Sequence, residues 1–105
     1  MRPFFAIAFL LLASAGQAAT VDIGRGEIPL VVPANYEEGT PAPLVVLVHG
    51  YTSSGAQQES YFKLSALADE YGFLFIAPDG TVEKAGDKNR FWHAGDYCCN
   101  FQGST

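Results

Sequence analysis

"PLVVLVHGYTSSG", residues 43–55, decides how this chain is read. Leu44 to Val48 is continuously apolar and mostly β-branched, with no alternation, which is the pattern of a strand buried on both faces. After His49-Gly50 the period changes. Ser54 with Gln57 three residues later is a capping-box pattern, and Tyr61, Leu64, Leu67, Ala68 and Tyr71 then recur at helical spacing. Gly72 suits the left-handed cap that ends such a helix. "FLFIAP", Phe73 to Pro78, is apolar throughout, and Asp79-Gly80 closes it with a turn. Strand, helix and strand together predict one right-handed βαβ unit with parallel strands, so the fold class is α/β.

Upstream, "PANYEEGTPAP" at residues 33–43 is a polar connection punctuated by Pro33, Gly39, Pro41 and Pro43. Before it, "TVDIG" and "IPLVV" are two short strand candidates interrupted by Arg25-Gly26-Glu27, the antiparallel opening of a mixed sheet. An antiparallel pair and one βαβ unit leave "FLFIA" with an unpaired edge and an uncovered face, an arrangement that favours aggregation. Beyond Thr81 the composition shifts to Gly, Asp, Lys and Asn, then to "NRFWHAGDYCCNFQGST", where no strand or helix period survives. An irregular surface excursion is expected there.

The chain of 105 residues has room for one domain at most, and its net charge of -5 offers no basic excess for nucleic acid. Its opening, "MRPFFAIAFLLLASAGQAAT", combines Arg2, an apolar run from Phe4 to Ala13 and small residues at Gly16, Ala18 and Ala19. That is the pattern of a secretory signal peptide over residues 1–18, cleaved after Ala18 or Ala19. A membrane anchor fits less well, because the run falls short of the roughly 20 residues that cross a bilayer. The mature chain is then expected in an oxidising compartment, secreted or periplasmic, with no membrane association after cleavage.

In open α/β sheets ligands sit beyond the carboxyl ends of the parallel strands, and His49-Gly50-Tyr51 lies at such an end. Gly50 lets the backbone turn sharply, which can aim the next amide N–H into the crevice. A donor placed there stabilises the oxygen of a tetrahedral intermediate by about 3 to 4 kcal/mol in well-studied hydrolases. Taken alone, His-Gly is equally a glycine opening a loop and a histidine bonded to neighbouring backbone.

With "PLVVLVHGYTSSG", "LADEYGFLFIAPDG", Trp92 and Cys98-Cys99 on the page, the chain resembles the secreted esterase family of the α/β-hydrolase fold. That family includes polyhydroxybutyrate depolymerases and feruloyl or acetylxylan esterases. The resemblance runs from about Ile28 to Phe101 and implies the amino-terminal part of an α/β-hydrolase sheet. It also implies a serine-type carboxylic-ester hydrolase with no cofactor, whose partner is an ester substrate, including polymeric ones such as a polyester or plant polysaccharide. The Tyr51 N–H would be one oxyanion-hole donor, with His49 and Gly50 shaping the turn, and the second donor would follow the nucleophilic serine. His93 stands where the resemblance leads one to expect Asn.

Such a hydrolase carries its serine in G-x-S-x-G, followed by Asp or Glu and then His. Nothing here fits: Ser53 and Ser54 have the wrong neighbours, and Ser104 has no strand before it. The nucleophile, acid and base are therefore expected beyond Thr105, the chain being the amino-terminal portion of a longer esterase. A dyad of His49 with Ser53 lacks a third group to orient it. A related peptidase or dienelactone hydrolase would keep the fold and change the bond cleaved, and a small secreted binding domain would stand alone.

Cys98 and Cys99 are adjacent and exported, so disulfide chemistry is expected, whether as a vicinal bridge, with downstream partners or between molecules. Metal binding is not expected, since two further ligands at finger-like spacing are missing. Phe91, Trp92, Tyr97 and Phe101 read either as a substrate-binding wall, with Trp92 the candidate, or as a small core pinning a long loop. His93 reads as an exposed loop residue. Asp69-Glu70 and Glu37-Glu38 read as solvated pairs.

Overall fold

Why the apolar run at 44–48 becomes a strand is visible in its pairing. In the computed structural model, which describes residues 19–95, β3 (Leu44–Val46) runs parallel to β4 (Leu74–Ile76), with Val45 opposite Phe75. The ladder extends at both ends, since Leu74 N–H donates to the Pro43 carbonyl at 2.8 Å and Leu47 N–H to the Ile76 carbonyl at 2.9 Å. The antiparallel pair is present as β1 (Ala19–Asp22) and β2 (Glu27–Leu30), closed by Asp22, whose Oδ1 accepts the N–H groups of Gly24, Arg25 and Gly26. Val31 and Phe75 exchange N–H···O bonds of 2.9 and 3.0 Å in an antiparallel bridge, which joins the two pairs in the order β1-β2-β4-β3. The result is a small mixed sheet with a helical crossover, consistent with the α/β class.

Strand β4 is therefore the inner strand, and the expectation of an unpaired edge on "FLFIA" is corrected by the Val31 bridge. The uncovered surface lies on β3 instead. Val45 and Leu47 face the core, while Leu44, Val46 and Val48 are 53%, 46% and 55% exposed. The continuous apolar run thus has one face buried, not two.

The crossover is also not one helix. Helix α1 (Gly55–Phe62) begins at Ser54, whose Oγ accepts the Gln57 N–H at 3.2 Å, and stops at Lys63 in the left-handed region with φ 55°. A 3₁₀ turn (Leu64–Leu67) and α2 (Ala68–Tyr71) follow, ended by Gly72 at φ 69°. Glu59 makes the break. Its carbonyl accepts the Lys63 N–H, while its carboxylate accepts the N–H groups of Leu64 and Ser65 and the Ser65 hydroxyl, so a single residue ends one helix and caps the next segment. The break turns Leu64 and Ala68 into the core with Phe73, Phe75, Val31, Val45, Leu47 and Ala77, while Tyr61 and Tyr71 remain exposed.

Beyond β4 the structure departs again from the sequence expectation. Asp79-Gly80 makes no closing turn but runs straight into β5 (Thr81–Val82), which pairs antiparallel with β6 (Arg90–Phe91). This hairpin, not an irregular excursion, buries Phe91 and Glu83. The candidate signal peptide (residues 1–18) and Tyr97, Cys98, Cys99, Phe101 and Ser104 lie outside the described residues.

Gly55 is where α1 meets β4. A Cβ there would collide with the Ala77 carbonyl oxygen, and its N–H is held by Asp79 Oδ1 at 2.8 Å. Gly55→Ala is expected to destabilise the fold by about 1–3 kcal/mol, the usual cost of forcing an extra methyl into packed structure. Ser54→Ala, which removes only the cap, is expected to cost about 1 kcal/mol. Urea unfolding of both variants checks the order, and equal midpoints would show that the helix stands off the strand.

Candidate functional site: the turn at the carboxyl end of β3

His49 lies just past the Leu47–Ile76 bond that ends the β3–β4 ladder, and it is buried at 2% exposure. Its Nε2 accepts the Gly80 N–H at 2.8 Å, and its Nδ1 lies 2.7 Å from the Gly50 carbonyl oxygen. An amide N–H only donates, so Nε2 is unprotonated and the ring proton sits on Nδ1, facing Gly50. Gly80 lets the chain pass close to β6, since a Cβ there would run into the Phe91 carbonyl oxygen. With both nitrogens engaged, His49 is not a base for Ser53, whose hydroxyl bonds instead to the Gln57 side chain at 3.3 Å.

From Gly50 the chain reverses over four residues, closed by the Ser53 N–H donating to the Gly50 carbonyl at 3.2 Å. Thr52 sits at φ 70°. For a β-branched residue the left-handed region is strained, by about 1–3 kcal/mol, and such conformations persist only where surrounding contacts hold them.

Those contacts come from the β5–β6 hairpin. The Thr52 N–H donates to the Arg90 carbonyl at 2.9 Å, the Trp92 Nε1–H to the His49 carbonyl at 2.8 Å, and the Tyr51 hydroxyl to Glu83 Oε1 at 2.7 Å. Trp92 also packs on the imidazole, ring centroids 5.1 Å apart at 42°. The indole is thus tied by its edge and one face to the residue before the turn. Arg90 reaches Asp79 Oδ2 at 3.6 Å with both side chains about one-third to one-half exposed, a contact worth less than about 1 kcal/mol. Its backbone carbonyl does more for the turn than its charge.

The residues singled out in the sequence therefore meet at one place. His49, Gly50, Tyr51 and Trp92 converge beyond the carboxyl ends of β3 and β4, with Gly50, Tyr51 and Thr52 on the surface. His93 is exposed. Asp69 accepts the Ala34 N–H at 2.7 Å and so ties down the 33–43 loop from an exposed position. Glu83 was not found by sequence reasoning, although a signal for its hairpin existed: Gly86-Asp87 is turn chemistry, flanked by Thr81-Val82 and Phe91-Trp92. Among the described residues no group of His, Cys, Asp and Glu could hold a metal ion.

Bonding to Glu83 raises the Tyr51 phenol above its ordinary value of 10.0, with smaller contributions from desolvation and the Glu83 and Asp87 charges. The folded chain then holds this proton more tightly than the unfolded chain. The stabilisation is complete below the ordinary tyrosine pKa and is lost as pH rises through the raised value. Phenolate absorbance, taken as the difference between the chain and Tyr51→Phe, should place the Tyr51 midpoint above 10.0, and Glu83→Ala, which removes both the acceptor and the charge, should lower it. A midpoint unmoved by Glu83→Ala would mean that the contact does not form in solution. Neither the protein-family models nor the curated proteins compared with the chain gives a match, so the chemistry of the turn rests on its own geometry.

Proposed function

We propose that this chain carries the oxyanion-hole turn of an exported carboxylic-ester hydrolase of the α/β-hydrolase fold, related to polyhydroxybutyrate depolymerases and feruloyl or acetylxylan esterases. The observation that carries the reading is the strained Gly50–Ser53 turn at the carboxyl end of a parallel strand, held from outside by a hairpin. A loop that only had to connect β3 to α1 would relax to unstrained dihedrals. Strain maintained by a separate element is the mark of a backbone whose direction matters.

In this reading the Tyr51 N–H donates to the carbonyl oxygen of a bound ester as it becomes the oxyanion of the tetrahedral intermediate. Such a donor lowers the barrier by about 3 to 4 kcal/mol, because it is aimed before the charge develops. His49, as the Nδ1–H tautomer, positions the turn, the Gly50 carbonyl closes it, and Thr52 rather than Gly50 takes the left-handed conformation. A serine beyond Thr105 attacks the ester carbon, its own acid and base also lie beyond Thr105, and the N–H after that serine is the second donor. Ester cleavage then proceeds through an acyl-enzyme that water hydrolyses. Residues 1–18 would direct export and be removed, and in the order β1-β2-β4-β3 the second edge of β3, unpaired among the described residues, would take further parallel strands.

The test is to read the coding frame past Thr105 and treat the secreted product with a fluorophosphonate. Expected are a G-x-S-x-G serine that takes the label, a later Asp and His, and hydrolysis of p-nitrophenyl acetate that the label abolishes. The pure 105-residue chain is expected to hydrolyse none. A stop codon after Thr105, or turnover by the 105-residue chain, would overturn the assignment.

A further inference from the structure

We propose that Glu83 is a positioning residue for the Gly50–Ser53 turn, acting through the Tyr51 hydroxyl. Its catalytic meaning rests on the esterase reading above; the contact itself does not. Glu83 is 1% exposed, more deeply buried than His49. A carboxylate at that depth is costly unless bonded, and an apolar residue of similar volume would fill the space at no such cost. What the carboxylate provides is an acceptor for the Tyr51 hydroxyl at 2.7 Å. Tyr51 is 41% exposed, so the bond is not there to bury the ring. It fixes where the ring, and with it the Tyr51 main chain, stands.

Glu83 is suited to this because it is itself immobile. It follows β5 directly, and its N–H donates to the Asn89 carbonyl at 2.9 Å across the hairpin. The opposite strand holds Thr52 through the Arg90 carbonyl. The two central residues of the turn are thus gripped by the two strands of one hairpin, Tyr51 by a side chain and Thr52 by its backbone. An oxyanion donor tolerates little displacement, and misplacement by about 1 Å can cost on the order of a hundredfold in rate.

The experiment uses the full-length secreted protein with Glu83→Ala, Glu83→Gln, Tyr51→Phe and the Tyr51→Phe/Glu83→Ala double variant. Glu83→Ala and Tyr51→Phe are each expected to lower kcat for p-nitrophenyl acetate about tenfold with KM changed less than about twofold. The double variant should lose no more than either single one, because both remove the same bond. Glu83→Gln, whose amide oxygen still accepts from the hydroxyl, should recover most of the rate. Amide exchange gives a second readout: Thr52 and Ser53 should exchange about tenfold faster in Glu83→Ala and Tyr51→Phe, with Leu47 and Phe75 unchanged. Additive losses, or equal loss of protection at Leu47 and Phe75, would overturn the proposal, since Glu83 would then serve only general stability. If the wild-type protein hydrolyses no ester, the esterase reading fails. The exchange pattern then still decides whether Glu83 holds the turn.

Discussion

The carboxyl end of this sheet depends on one buried imidazole. Backbone ladders stop where strands diverge, and the groups left there must find other partners. His49 provides them from a single ring. One nitrogen receives the Gly80 N–H arriving from β4, and the other faces the Gly50 carbonyl leaving β3. The side chain therefore replaces a stretch of main chain between two strands that have separated. Everything beyond, the turn on one side and the hairpin on the other, takes its starting position from that bridge.

The turn and the hairpin are mutually dependent. The turn at Thr52 is unfavourable by itself, and the hairpin is too short to be stable alone, since isolated two-stranded pairs are marginal in water. Docked together they satisfy each other. The hairpin gains an indole bond, a buried phenylalanine and a phenol for its carboxylate, while the turn gains the contacts that keep it strained. A backbone fixed in this way is preorganised, the property that the proposed oxyanion hole requires.

Much of this was legible in the sequence because it follows from local chemistry. The β-branched run at 44–48, the Ser54 cap, the Gly72 stop and the antiparallel opening each depend on residues within a few positions of one another. What escaped was decided at longer range. The helix breaks at Lys63 because a carboxylate four residues earlier captures the next segment, and an unbroken apolar spacing gives no hint of that competition. The hairpin strands are too short for a period to show, and their stability lies in partners 31 to 43 positions away. The run at 44–48 carries the composition of a two-sided strand, but composition does not say that Leu44, Val46 and Val48 face outward here. The convergence of His49, Gly50, Tyr51 and Trp92 was readable as a list; the buried Glu83 that joins it was not.

Those long separations also set an order of events as the chain is made. Synthesis runs from the amino terminus, and contacts between distant positions form only after the later one exists. The strand, the helix and the β4 partner are all complete by Ile76, but the Tyr51 turn waits for Glu83, Arg90 and Trp92. Until Trp92 has emerged, Gly50–Ser53 lacks the hairpin contacts that hold Thr52 in its left-handed conformation. The contacts of the βαβ unit can therefore form before those of the turn, so the segment with the most demanding geometry is completed by the last residues to arrive.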